Sequence, residues 1–317
     1  MRGSSAIQRT LRFAQHLPKF GWNPVVLTAT PNAYEAVSPP ADSDTGSIEV
    51  HRTRALDAAR HLSIFGRYPR SLAIPDRWIT WKYSAVPMAL RLIREKQIDV
   101  VWTTFPIATA HEIGLAVERR SGVPWVAEFR DPMWQGDYPP DLRVNRAWKD
   151  LESRIFQRAR RVVVTTPGAA RDYRERFPDY RSDDIHVVEN GFDEDAFAAA
   201  ESRVRLRPAA ASIPGRKLTL LHSGVIYPSE RDPTHLFDAL ASLKSSGDPI
   251  ADRLELKLRA SGNDALFHGM IQQRQIQDLV KLEPAIDYVS ALEEMLTVDG
   301  LLILQASNCN AQIPAKL

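Results

Sequence analysis

The chain has 317 residues, 44% of them hydrophobic and 25% charged, the balance of an ordinary globular protein long enough for two domains. A formal net charge of +2 argues against a dedicated nucleic-acid binder, and the single Cys309 excludes an intrachain disulfide and a cysteine-ligated zinc site. No apolar run reaches the length of a membrane span, and Met1-Arg-Gly-Ser-Ser does not read as a signal-peptide core, so a cytoplasmic protein is expected, with any membrane role peripheral on the inner face.

The predicted elements alternate. A helix over residues 6–17 places Ile7, Leu11, Ala14 and Leu17 on one face. Runs at 25–28, 99–104, 124–129 and 161–165 are apolar and β-branched, as buried parallel strands are. Helical stretches at 78–95, 107–120 and 144–159 separate them, and 41–46 reads as a polar loop. A short strand at 185–188 leads into Glu189-Asn-Gly-Phe-Asp193. Residues 194–215, rich in Ala, Arg and Pro without strong periodicity, read as a linker. A second alternation follows, with strands at 218–222, 254–260, 279–282 and 301–305 and helices at 233–245, 264–275 and 290–296. The pattern predicts two doubly wound α/β domains, 1–193 and 216–317, joined through 194–215.

Charge is spread unevenly. Residues 1–160 hold 23 Lys/Arg against 16 Asp/Glu, whereas the remainder holds 18 against 23. Within 52–96 ten basic residues face three acidic ones, with Trp78, Trp81 and Tyr83 among them. A solvated basic face and a contact with anionic lipid or an anionic acceptor both fit this composition.

The most telling local feature is the turn after the 218–222 strand. Ser223-Gly224 lets backbone approach a ligand closely, and Arg231 adds a fixed charge beside it. Asp232 suits a helix N-cap and Pro233 the first helical position, so a helix N-terminus with unpaired N–H groups is expected there, able to hold a phosphate.

In order and spacing, several motifs resemble the family 4 glycosyltransferases of the GT-B fold, especially a bacterial branch acting in polysaccharide or glycolipid assembly. In the front half these are Arg9-Thr-Leu-Arg-Phe-Ala14, His16-Leu-Pro-Lys-Phe-Gly-Trp-Asn-Pro-Val-Val-Leu-Thr28, Pro75-Asp-Arg-Trp78, Asp99-Val-Val-Trp-Thr-Thr-Phe-Pro106 and Pro124-Trp-Val-Ala-Glu-Phe-Arg-Asp-Pro132. In the back half they are Asn190-Gly-Phe-Asp193, His222-Ser-Gly224, Arg231-Asp-Pro233 and Gln312-Ile-Pro-Ala-Lys316.

The resemblance implies two Rossmann-like domains facing a cleft, with acceptor on the first and a UDP- or GDP-linked sugar on the second. It implies transfer with retention, no metal ion and no cofactor beyond the donor. By this likeness Arg231 and Lys316 hold the diphosphate, where preorganised positive charge favours the departing group. Ser223, Gly224, Ser261 and Gly262 approach the phosphates or sugar, and Tyr288, with Val289, flanks the base. Gly3 and Ser4 match a glycine-rich loop, and Arg9 and Asn190 fall on the acceptor side. Arg130 and Asp131 follow a strand at the edge where open sheets bind ligands, and Asp131 is expected to orient the acceptor or steady the reacting sugar.

Plainer roles stand beside these. Asp131 can cap a helix or pair with Arg130, Tyr288 can be a core residue, and His111 reads more readily as a satisfied buried histidine than as a cleft residue. The likeness also implies that the chain is truncated at both ends: a strand is expected before Gly3, and the family's glutamate pair is expected beyond Leu317. The fragment itself is therefore expected to transfer weakly or not at all. A GT-B nucleotide-sugar epimerase and a non-catalytic nucleotide- or sugar-binding scaffold are the alternatives.

Overall fold

A computed structural model describes residues 5–34, 48–65, 67–205, 216–306, 309 and 313. The chain divides into two compact units, Met1–Asn190 and Gly191–Leu317. Each is an α/β layer structure with parallel sheets, as the alternating pattern predicted.

The first unit opens on α1 (Ser5–His16), followed by β1 (Val25–Ala29), which pairs in parallel with β2 (Glu49–Thr53). The short α2 (Ala58–His61) precedes α3 (Trp81–Lys96). Then β3 (Val101–Thr104), α4 (Ala108–Ser121), β4 (Trp125–Phe129), α5 (Leu142–Arg158), β5 (Arg161–Val164), α6 (Pro167–Arg176) and β6 (Ile185–Val187) alternate regularly. Strands β3, β4, β5 and β6 lie side by side in that order, all parallel. All of their carboxyl ends therefore open on one edge of the sheet, where doubly wound folds place ligands.

Core packing explains the boundaries. Trp125, Phe129, Ile155, Val162 and Tyr173 belong to one buried cluster, which fixes β4 and β5 against α5 and α6. Helix α4 is buried over most of its length, from Ala108 to Leu115 apart from Ala110. Its Gly114 lies so close to the sheet that a Cβ there would sit 2.5 Å from Trp125 Nε1. Asp141 caps α5 by accepting from Arg143 N and Val144 N, so this helix begins two residues earlier than its apolar periodicity predicted.

The second unit begins with α7 (Glu194–Arg205), within the stretch expected to be a linker. It packs against α11 (Tyr288–Thr297), and Arg203 pairs with Glu293 across them at 3.4 Å. Its acidic first turn and basic last turn complement the helix dipole, a signal the periodicity reading passed over. Next come β7 (Leu218–Ser223), α8 (Thr234–Ser245), α9 (Pro249–Arg253), β8 (Leu254–Arg259), α10 (Asp264–Gln273), β9 (Val280–Glu283), α11 and β10 (Gly300–Leu301). The sheet runs β10-β7-β8-β9, all parallel, over a core that includes Phe237, Leu256, Leu258 and Phe267. Strand β10 is shorter than the 301–305 run predicted. Among the described residues no helix is long and apolar enough to cross a membrane.

Candidate functional site

At the carboxyl edge of the second sheet, the ends of two adjacent strands build a double turn. Gly224 follows β7 with φ at +113°, where a side chain would be strained, and its N–H donates to the Arg259 carbonyl at 2.8 Å. One step on, Ile226 N–H donates to the Ser261 carbonyl at 2.9 Å. Gly262 follows β8 with φ at +78°, and a Cβ there would meet Val225 Cγ1 at 3.2 Å. Both glycines are thus required by conformation, and the second also by close packing. Asn263 Nδ2 closes the arrangement by donating to the Ile226 carbonyl at 3.0 Å.

Arg231 folds back over this double turn. Its Nη1 donates to the Val225 carbonyl at 3.0 Å, and its guanidinium carbon lies 5.4 Å from the centre of the Tyr227 ring. The backbone N–H of Arg231 also donates to the Tyr227 carbonyl at 2.8 Å, which fixes where the side chain starts. A guanidinium presents five donors. The structure thus brings Ser223, Gly224, Gly262 and Arg231 to one place. The descending chain passes it too: Ala306 N–H donates to the Glu230 carbonyl at 2.8 Å. Lys316 lies outside the described residues.

Three expectations for this unit change. Helix α8 starts at Thr234, not Pro233, and Asp232 Oδ1 accepts from Thr234 N at 2.9 Å and from Thr234 Oγ1 at 2.5 Å. These hydrogen bonds hold the Asp232 carboxyl below the usual carboxylate range. An anion approaching this helix end therefore meets a carboxylate, so the positive charge of the turn comes from Arg231 and not from the helix terminus. Ser261 is fully buried, its hydroxyl donates to Asp264 Oδ1 and its carbonyl accepts from Ile226 N–H, so it holds the turn and offers no surface to a ligand, a correction of its expected role. Tyr288 is the first residue of α11 and is 46% exposed, so the core role is wrong for it. It stands beyond β9, at the same sheet edge as the two glycine turns.

The corresponding edge of the first unit is a buried charge cluster. Arg9, from α1, donates Nε to Glu128 Oε1 at 2.8 Å, Nη2 to the Val188 carbonyl at 2.8 Å and Nη1 to the Glu189 carbonyl at 2.8 Å. Nη1 also lies 3.4 Å from Asn190 Oδ1. The Arg9 side chain is only 8% exposed, so its donors tie α1 to the ends of β4 and β6 and are not offered to a ligand. This corrects the expected acceptor-side role. Glu128, one residue before the end of β4, is the counter-charge that sequence reading missed, 119 positions away. Its Oε2 is buried without a hydrogen-bond partner among the described residues.

Arg130 Nε donates to the Phe105 carbonyl at 2.6 Å, and Thr165 Oγ1 donates to the Arg130 carbonyl at 2.7 Å. Burial pulls the Arg130 pKa down, opposed by the nearby Glu128 and Asp131 charges. Asp131 is exposed just past β4. Gly191, next to Asn190, does not adopt a positive φ. Gly3 and Ser4 lie outside the described residues.

His111 is not at this edge in any accessible sense. It is fully buried on α4, with Nδ1 2.7 Å from Thr103 Oγ1. Trp125 Nε1 donates to the same hydroxyl at 2.8 Å, so one threonine oxygen joins the indole and the imidazole in the core. Burial, against a smaller opposing effect of the Glu128 carbonyl, pushes the His111 pKa down to about 3. It is a neutral core histidine. The Pro75-Asp-Arg-Trp78 motif is likewise structural: Asp76 accepts from Thr109 N and Thr109 Oγ1 at 2.7 Å each and so caps the start of α4.

A cavity of about 420 Å³ in the second unit lies away from the glycine turns, against Thr219, Lys257, Ser290 and Glu293, and no predicted site residue lines it. Among the described residues no three His, Cys, Asp or Glu side chains gather as a metal site needs.

The glycosyl transferase 4-like domain model matches residues 6–191. The chain belongs to the glycosyl transferase 4-like family. Solved structures of low identity share its fold, which is of the GT-B type with two Rossmann-like halves. A glycosyltransferase from Rickettsia africae is 12% identical with a TM-score of 0.57, over 95% of this chain and 69% of that one. Sucrose-phosphate synthase from Thermosynechococcus elongatus is 14% identical with a TM-score of 0.61, over 94% and 69%. HepE from Anabaena, solved in complex with UDP, is 15% identical with a TM-score of 0.52, over 80% of this chain and 60% of its own. No curated sequence matches the chain.

Proposed function

We propose that this family member moves a sugar from a nucleotide-sugar to a saccharide or lipid-linked acceptor, with retention and without a metal ion. The observation that carries the reading is the double glycine turn with Arg231 clasped over it, at the ligand-binding edge of the second sheet. Backbone there can come within reach of a diphosphate, and the guanidinium supplies the charge that a leaving diphosphate calls for. The HepE structure holds UDP, and a UDP-linked donor is the first to test here.

In the reaction the bond from the anomeric carbon to the diphosphate oxygen breaks, with its electron pair leaving on the diphosphate. The acceptor oxygen attacks from the same face and its proton passes to the departing phosphate oxygen. Arg231 and Lys316 stabilise the growing negative charge, and Asp131 orients the acceptor from the first unit. That unit, with its excess of basic residues, is the side that meets an anionic acceptor or an anionic membrane surface.

Titration calorimetry with UDP and GDP tests the donor site. Replacing one charge-assisted contact, Arg231→Gln, should weaken binding roughly 10- to 100-fold, because such a hydrogen bond contributes about 1.5–3 kcal/mol. Equal affinity of both proteins for the nucleotide would remove Arg231 from the site. Binding without any sugar transfer would instead favour a non-catalytic scaffold.

A further inference from the structure

Phe65 is 100% exposed and Ile64 is 74% exposed, side by side. They are held there and are not loose on a long loop. Ile64 N–H donates to the Arg67 carbonyl at 2.8 Å and Arg67 N–H returns to the Ile64 carbonyl at 3.0 Å, so the pair stands at the tip of a closed turn. Phe65 has φ at +50°, a conformation a bulky residue seldom adopts. The turn thus aims a large apolar side chain at solvent in a strained backbone.

The surroundings indicate what would receive this side chain. Between Asp57 and Asp76 the sequence contains no acidic residue, while Arg60, Arg67 and Arg70 flank the tip. Arg70 reaches Asp141 at 3.2 Å and so ties this segment to the start of α5, where the next residue, Leu142, is 72% exposed. Two apolar side chains at one tip are far too few for a stable protein–protein interface, which takes about 20–30 residues a side. An apolar tip within a basic collar matches an anionic bilayer, where the ring sinks past the headgroups and arginines stay among the phosphates.

We propose that the turn carrying Ile64 and Phe65 is a membrane-seating element that inserts into anionic lipid, with Arg67 and its neighbours contacting the headgroups. The assignment rests on the membrane-surface part of the functional reading and is independent of sugar transfer.

Vesicle sedimentation of the full chain tests it, comparing phosphatidylcholine alone with phosphatidylcholine containing phosphatidylglycerol. The chain should bind only the anionic vesicles. Ile64→Ser/Phe65→Ser should bind at least about tenfold more weakly, and Arg67→Gln about fivefold more weakly. Tyr83→Ser, an exposed aromatic elsewhere in this unit, should bind like the parent. All four positions are exposed, so thermal unfolding should be unchanged and will show that the variants are folded. Anionic binding that survives the double substitution overturns the assignment and leaves the membrane reading intact. Absence of binding to either vesicle overturns both, and a tip substitution that abolishes a dimer in sedimentation velocity, without vesicle binding, assigns the turn to self-association instead.

Discussion

His111 makes this protein acid-sensitive in a calculable way. Its ring is fully buried between Thr103, Phe129 and Trp125, and its pKa is pushed down to about 3 from 6.5. A histidine with a depressed folded pKa takes up its proton more readily in the unfolded chain. Its stabilising contribution is therefore complete above pH 6.5 and is lost as pH falls from there toward 3. The full separation corresponds to roughly 5 kcal/mol, of which about 2 kcal/mol is gone by pH 5. All seven tryptophans lie in the first unit, so their fluorescence follows its unfolding without interference from the second. Urea titrations at pH 7.5 and pH 5 should show a loss of stability in the parent that is about 2 kcal/mol larger than in His111→Gln. Ring resonances of the folded parent give a check independent of any variant: those of His111 should not titrate between pH 8 and 5. A ring that titrates near 6.5 in the folded protein refutes the reasoning, whatever the variant does.

Two further outcomes follow from buried geometry. Arg9→Met removes the ion-pair partner of the buried Glu128 and should cost about 3–5 kcal/mol by urea unfolding, whereas Arg9→Met/Glu128→Leu should recover at least half of that. Failure of the double substitution to recover anything would show that the carbonyl contacts at Val188 and Glu189 carry the effect. Gly114→Ala should lower the stability of the first unit by about 1–3 kcal/mol, even though alanine is the better helix former, because its Cβ would sit 2.5 Å from Trp125 Nε1 and 2.8 Å from Thr103 Cγ2. A rise in thermal midpoint would mean that α4 can lift off the sheet at little cost.

Much of the proposed donor site was readable because it is local. Glycine at positive φ, a leucine-rich strand before it and an arginine seven residues on are all short-range signals, and the structure brings Gly224, Gly262 and Arg231 together. The same reading failed where charge or distance intervened. Strand β2, Glu-Val-His-Arg-Thr, has too few apolar residues for a strand pattern to show. Helix α6 is mostly polar, although Thr166 before Pro167 was an available start signal, and its hydroxyl does accept from Ala169 N. Asp232 reads as a helix cap and does accept from Thr234 N, but its carboxylate then stands at the helix end where a phosphate was expected.

The sequence by itself determined the alternation of strands and helices and the glycine turns, since each depends on residues within a few positions of one another. Only the tertiary structure decided that Arg9 neutralises Glu128, that Asp76 caps α4 and that His111 is a core residue. Those facts depend on pairings across 119, 33 and 8 positions, and on exclusion of water, which composition and periodicity do not encode. A charged side chain in the sequence is equally suited to solvent, a ligand or a buried partner, and burial alone selects among them.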